Sequence, residues 1–176
     1  MENRLLELKA RVDSFVFVRN KLRDLKAQYV GTFRQIDTYF NVPKGRLKLR
    51  EVEGSERAKL IYYEREDIPG LKRSNVLILE IQESEPSKAF FERVLGKKIV
   101  VDKKREIYMH KGTQIHLDII KDLGTFIEFE RKTKDFIKDR KLLKELMKNL
   151  KIKDKDLLKG SYSDILLAPT LEFEKR

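Results

Sequence analysis

Cysteine is absent from the 176-residue sequence. Its absence excludes disulfides, thiolate metal ligands and a thiol nucleophile. Long apolar runs are also missing, so no membrane-spanning helix is expected. The opening stretch, MENRLLELKA, carries charge where a secretory signal needs an apolar run. No glycine-rich phosphate loop, zinc-finger spacing or RNP-type aromatic motif occurs. Nothing resembles a Ser-His-Asp triad. A soluble, cytoplasmic protein is the expectation.

Charge is what the chain has in abundance. Charged residues make up 39% and hydrophobic residues 40%, with a formal net charge of +11. The apolar residues are patterned rather than sparse, which argues against disorder. The length suits one domain with a sizeable core, placed at residues 1–168, with a polar tail at 169–176. Abundant Lys and Glu, with only 3 methionines and short loops, suit a hyperthermophile. A basic chain suits nucleic acid, an anionic membrane or a phosphorylated small molecule. From Lys132 to Lys159, Phe136, Leu143, Met147 and Leu150 recur at helical spacing. Their lysine neighbours then lie on a solvated face, and a nucleic-acid patch is the lesser alternative.

The most informative stretch is Ile115 to Glu130, IHLDIIKDLGTFIEFE. It reads as two strands joined by a turn at Asp122-Leu123-Gly124. Alternate side chains on a strand point to opposite faces. Asp118 falls on one face of its strand, and Glu128 and Glu130 on one face of theirs. If those faces coincide, carboxylates converge and require a cation or basic groups. On a surface hairpin they sit harmlessly in water.

The same alternation recurs. Leu6, Leu8 and Ala10 alternate with Glu7, Lys9 and Arg11, and Leu47 and Leu49 with Lys48 and Arg50. Lys103 and Arg105 share a face, as do Lys59, Tyr63 and Arg65. The charged sides could face bulk water on an open sheet. In a closed sheet they would line a wet tunnel with a basic wall and an acidic edge, which suits a polyphosphate with divalent metal.

Eight strands are expected: 5–12, 33–40, 46–52, 58–65, 74–83, 98–108, 113–120 and 125–131. Helices are expected after Ser14, from Ser84 and Pro86 to Leu95, from a Thr133 cap to about Leu150, and briefly at 153–159. Hairpin order implies antiparallel pairing. Eight strands can close a barrel. The fold class is therefore α+β: a closed eight-stranded antiparallel barrel with helices packed outside. The apolar strand faces then point outward, the inverse of an ordinary barrel.

With these segments in order, the chain resembles the CYTH superfamily, the triphosphate tunnel metalloenzymes. Leu6-Glu7-Leu8-Lys9 is similar to the family's ExExK start, with Leu5 at the first Glu position. Gln35-Ile36-Asp37-Thr38-Tyr39-Phe40 resembles its QxDxYF strand, and Arg46 to Arg50 its basic third strand. Lys103 to Tyr108 resembles the basic sixth strand. The hairpin to Glu130 resembles hLDxhxxLGxFhEhE, and Ser161-Tyr162-Ser163-Asp164 the SYSDLL element. Archaeal proteins similar to class IV adenylyl cyclase are the nearest branch.

The resemblance implies a triphosphate in the tunnel, namely ATP, thiamine triphosphate or tripolyphosphate, with Mg2+ or Mn2+. It implies metal ligation by Glu7, Asp118, Glu128 and Glu130, with Asp118 alternatively orienting an arginine. It implies phosphate binding by Lys9, Lys48, Arg50, Arg65, Lys103 and Arg105, with Lys9 and Arg105 in catalytic roles. Water attacking the terminal phosphorus would make a triphosphatase; a ribose hydroxyl attacking the α-phosphorus would make a cyclase. A non-catalytic nucleotide-, polyphosphate- or RNA-binding module is the alternative, and a homodimer is left open. Leu5 removes one acidic ligand and favours that alternative. Lys59 and Lys72 are weaker phosphate-binding candidates, and His116 is read as a tunnel-lining residue or a plain polar contact. Tyr39 is read as core, and Tyr162 as packing the C-terminal segment against the barrel mouth.

Overall fold

On β1 (Glu2–Arg11), the apolar Leu6, Leu8 and Ala10 are buried, and so are the charged Glu7 and Lys9 between them. Both faces of this strand are therefore covered, each by a different environment. The strands Thr113–Ile120 and Gly124–Lys132 share this pattern over much of their length, whereas the outer face of Lys72–Ile81 is open, with Leu77 and Leu79 exposed. In the computed structural model, which describes residues 2–168, eight strands close into one antiparallel barrel. The expected polar tail at 169–176 lies outside the described residues.

The other strands are β2 (Gln28–Phe40), β3 (Arg46–Val52), β4 (Ala58–Arg65), β5 (Lys72–Ile81), β6 (Lys97–His110), β7 (Thr113–Ile120) and β8 (Gly124–Lys132). Around the barrel they follow the order β1-β5-β4-β3-β2-β6-β7-β8. The hairpins β2–β3, β3–β4, β4–β5, β6–β7 and β7–β8 are local pairings; β1–β8, β1–β5 and β2–β6 close the ring. The β7–β8 turn falls where expected, with Asp122 (φ 63°) and Gly124 (φ 109°) in the left-handed region that such a tight reversal needs.

The apolar outer faces of β1, β7 and β8, and of part of β2, β3 and β4, are capped by helices. Helix α1 (Phe15–Asp24), N-capped by Ser14, brings Phe15, Val18 and Leu22. Helix α3 (Phe136–Asn149) brings Leu143 and Leu146. Together they bury Leu6, Leu8, Ala10, Ile115, Leu117, Ile127 and Phe129. Helix α2 (Ser84–Leu95) lays Phe91 and Leu95 on Phe40, Leu49 and Ala58. No helix among the described residues is long and apolar enough to cross a membrane.

Helix α4 (Tyr162–Leu167) sits over one mouth, started by a reciprocal Ser161–Asp164 capping box. Arg46 Nη2 donates to Asp164 Oδ2 at 2.8 Å, and Lys72 Nζ donates to the carbonyls of Leu158 and Lys159 at 2.8 Å. The plug is thus tied to the start of β3 and of β5. Lys72, weighed as a phosphate ligand, is occupied by this tie.

Three local expectations are corrected. The cap of α3 is Asp135, whose side chain accepts from the Lys138 amide; the Thr133 hydroxyl instead donates to Asp139. The stretch 153–159 makes only a 3-10 turn at Asp154–Asp156. Strand β5 ends at Ile81, not 83, because Ser84 already begins the first turn of α2.

The outer core should therefore be separable from the tunnel. Leu8 is fully buried beneath the helices. Leu8→Ala is expected to lower stability by about 2–5 kcal/mol, read by denaturant unfolding. It should leave ligand binding by the folded protein unchanged, because the side chain faces away from the interior.

Candidate active site

Inside the barrel the alternation delivers its other set of side chains. They enclose a cavity of about 120 Å3 whose lining includes Glu7, Lys9, Lys48, Arg50, Arg65, Lys103, Arg105, Glu128 and Glu130. Every expected phosphate ligand lines this one cavity. Of the expected metal ligands, Glu7, Glu128 and Glu130 line it, and Asp118 lies behind Arg105. Lys59, the other weak candidate, is exposed to solvent instead.

One cluster centres on Asp37, which the sequence offered only as part of the QxDxYF resemblance, with no role. Asp37 Oδ2 accepts from Lys48 Nζ at 2.9 Å and Lys103 Nζ at 2.7 Å. Arg50 adds a fork, Nε to Oδ1 at 2.7 Å and Nη2 to Oδ2 at 2.8 Å. Burial opposes ionisation of Asp37, but Arg50, Lys103 and Lys48 outweigh it and hold the carboxyl well below its usual range. Lys103 tells the other half. Burial, then Arg50, push its ammonium well below the ordinary lysine value despite Asp37. Three bases share one carboxylate, so the cluster keeps a surplus of positive charge. The signal was available: Asp37 is the direct β2 partner of Arg50 on β3.

A second cluster centres on Glu128 and Arg105. Lys9 Nζ donates to Glu128 Oε1 at 2.5 Å, and Arg105 Nη2 to Glu128 Oε2 at 2.6 Å. Arg105 also forks onto Asp118, with both bonds at 2.6 Å. Tyr162 reaches down from the plug and donates to Asp118 Oδ2 at 2.6 Å. Its ring lies 3.9 Å from Lys9 Nζ. The tyrosine expected against the barrel mouth is therefore inside it. Both Asp118 oxygens serve Arg105 and Tyr162, so Asp118 orients an arginine, the alternative role given to it above. Its carboxyl is held down to about 2, Arg105 outweighing burial.

The third cluster is acidic. Glu7 faces Glu130 directly across β1–β8, and His116 faces Glu128 across β7–β8. Ligand atoms of His116, Glu128 and Glu130 lie within 4.8 Å of one another. His116 Nδ1 is buried without a hydrogen-bond partner, and Glu128 Oε2 lies 3.5 Å from it. An orphaned imidazole nitrogen beside two carboxylates fits a divalent cation, which would supply the missing partner. Glu7 Oε1 accepts from Arg65 Nη1 at 2.8 Å. Burial, reinforced by Glu128 and Glu130, nevertheless raises its carboxyl above the ordinary value. The carboxylates crowd one another here even with Arg65 and Lys9 beside them.

The remaining arc, on β1, β4 and β5, is apolar. Ile61, Val76 and Ile78 line the cavity together with Tyr63 and Leu5. Leu5 thus faces the interior, as its parity with Glu7 requires. Tyr39 is buried in the same inner cluster, 3.4 Å from the Tyr63 hydroxyl.

Comparison with known proteins places this geometry. A family model described as the CYTH domain matches residues 3–162. A protein of Methanocaldococcus jannaschii, named as an inferred adenylate cyclase, is 24% identical over 172 residues, covering 91% of this chain and 97% of its own. A solved structure from Pyrococcus horikoshii superposes with a TM-score of 0.80 at 25% identity, covering 93% of this chain and 98% of its own. A Hippeastrum protein, inferred to be an adenylyl cyclase and described as having a dominant triphosphatase activity, shares the fold. Its TM-score is 0.65 at 16% identity, covering 94% of each chain.

Asp37→Asn should be costly because it strands three buried bases. A loss of about 3–5 kcal/mol is expected. A carboxyl depressed in the folded state stabilises above its unfolded value, near pH 3.9, and loses that contribution as pH falls through the folded value. Wild-type and Asp37→Asn stabilities, measured by urea unfolding across pH, should therefore converge toward acid. Added tripolyphosphate should stabilise the variant more than the wild type.

Proposed function

We propose, on the premise that this chain belongs to the CYTH domain family, that its barrel interior binds a triphosphate and acts on it with a divalent metal. The reaction is hydrolysis or a class IV adenylyl cyclase-like cyclisation. The observation that carries this reading is the division of the barrel interior into a basic cluster and an acidic one. Lys48, Arg50 and Lys103 carry surplus positive charge around Asp37, while Glu128, Glu130 and His116 converge opposite.

The charge balance supports a metal. Six cavity bases face Glu7, Asp37, Asp118, Glu128 and Glu130, so the interior is close to neutral. A polyanion entering alone would gain little from it. Glu128, Glu130 and His116, with Glu7 beside them, would hold Mg2+ or Mn2+. Such an ion would supply positive charge to offset that of the phosphate chain.

The chain's own groups do the rest. Lys48, Arg50 and Lys103 exchange Asp37 for phosphate oxygens, charge-assisted contacts of the same kind. Lys9 and Arg105 stabilise charge on the phosphoryl group as its bridging bond breaks. Asp118 and Tyr162 hold the Arg105 fork in its orientation. In hydrolysis water adds to the terminal phosphorus and the diphosphate end leaves; in cyclisation a ribose hydroxyl adds to the α-phosphorus and pyrophosphate leaves. Leu5 in place of an acid favours a second reading, a binding module without turnover.

A panel of ATP, GTP, thiamine triphosphate and tripolyphosphate with Mg2+ or Mn2+, scored for phosphate and cyclic nucleotide and run hot as well as at room temperature, tests the reading. Turnover is expected on at least one substrate. Metal bound only to the native state raises stability by mass action, about 2.7 kcal/mol at 100 times Kd. Melting scans should show that shift, and Glu128→Gln/Glu130→Gln should lack it.

Leu5→Glu adds a carboxylate to the interior face beside Glu7. Hard-cation affinity follows carboxylate number. Calorimetry is expected to show tighter Mn2+ binding in this variant, with circular dichroism confirming the fold. Unchanged or weaker affinity would mean that the acid missing at this position is not the limiting ligand.

A further inference from the structure

The cavity has a side that phosphate chemistry does not use. Across β4–β5 the interior pairs are Ile61 with Ile78, Tyr63 with Val76, and Arg65 with Ser74; Ser74 is also paired with Leu5 on β1. Leu5, Ile61, Val76 and Ile78 therefore form one continuous apolar strip along the cavity. Ile78 faces inward yet is 43% exposed, so the strip is not closed over by protein at that end. An inward apolar side chain left open to water gains stability when a ligand covers it.

Two polar groups at the other end of the strip also lack partners. Ser74 Oγ is buried with no hydrogen bond, and so are Arg65 Nε and Nη2. Arg65 Nη2 has only Asp67 Oδ1 at 3.8 Å, beyond hydrogen-bond length. Both residues line the same cavity and are nearly inaccessible. Buried donors without acceptors are costly, and a ligand oxygen would satisfy them.

We propose that the strip receives the organic group of a nucleoside triphosphate and that Ser74 and Arg65 donate to the oxygens joining that group to the phosphate chain. This rests on the triphosphate reading above and narrows it. Inorganic tripolyphosphate offers nothing to an apolar wall. A cationic organic group, such as the thiazolium of thiamine triphosphate, is disfavoured on the strip because Lys48 adjoins Ile61 across β3–β4. A neutral ring meets neither objection. Leu5 is then part of a specificity surface as well as a missing acid.

The test is calorimetry with three probes, each in Mg2+ and in EDTA: a methylene-bridged ATP analogue, thiamine triphosphate and tripolyphosphate. The nucleotide analogue is expected to bind at least about tenfold tighter than tripolyphosphate, the low end for one apolar contact in a specificity pocket. Ile78→Asn, at a half-exposed position that spares the fold, should remove most of that preference and leave tripolyphosphate affinity within about twofold. Ser74→Ala should weaken the nucleotide analogue more than tripolyphosphate, with the melting temperature as the check on folding. Equal wild-type affinity for nucleotide and tripolyphosphate overturns this proposal alone, as does tighter binding of thiamine triphosphate or a uniform loss in Ile78→Asn. Failure of all three probes to bind in Mg2+ overturns it together with the triphosphate reading.

Discussion

Compensation of charge inside a closed barrel is the constraint on which the structure depends. Lys9, Lys103 and Arg105 are nearly inaccessible, as are Asp37, Asp118 and Glu128. Isolated charges in that environment would be driven neutral or drive the protein apart. They persist because each base reaches a carboxylate at hydrogen-bond length, and the forked pairs of Arg50 with Asp37 and Arg105 with Asp118 are the tightest part of the set. Networks of this kind add little net stability compared with an apolar core, yet losing one member is severe. Stability is therefore expected to come from the apolar clusters rather than from the interior ion network.

That division explains the inverted architecture. An ordinary small barrel fills its interior with aliphatic side chains. Here the aliphatic faces point outward, and α1 and α3 must cover β1, β7 and β8, while α2 covers β2, β3 and β4. The helices are consequently not decoration on a stable barrel; they complete the apolar layers on its outside. Closure of one mouth by α4 belongs to the same logic. Tyr162 brings a hydroxyl and an aromatic face to Asp118 and Lys9, so the plug joins the ion network instead of merely blocking it.

The interior is also asymmetric in a way that bears on ligand choice. Bases gather about Asp37 on β2, β3 and β6; acids and His116 gather on β1, β7 and β8; β4 and β5 contribute the apolar arc. Three kinds of surface thus meet in one small cavity. Several buried atoms without a partner fall at the boundaries between these surfaces: His116 Nδ1 by the acids, and Ser74 Oγ with Arg65 Nε and Nη2 by the apolar strip.

Period-two alternation, readable from the chain, determined a great deal. It set which residues share a face, put Glu7 with Lys9 and Glu128 with Glu130, and with the turn signals gave eight antiparallel strands. Ring closure was less local: β1 pairs with both β5 and β8, contacts separated by scores of residues that no local pattern specifies. Beyond the Asp37–Arg50 pair of the β2–β3 hairpin, partner choice inside the barrel belonged to the tertiary structure. Parity shows that Asp37, Lys48 and Lys103 point inward, but their common meeting point depends on barrel tilt and radius. So does the diversion of Asp118 to Arg105 and Tyr162, since Tyr162 comes from a separate helix. Lys72 follows the alternation too, yet its ammonium is spent on two backbone carbonyls that only the folded chain brings within reach. Local sequence sets the direction of a side chain; its partner is set by which other strand, or plug, the closed sheet places across from it.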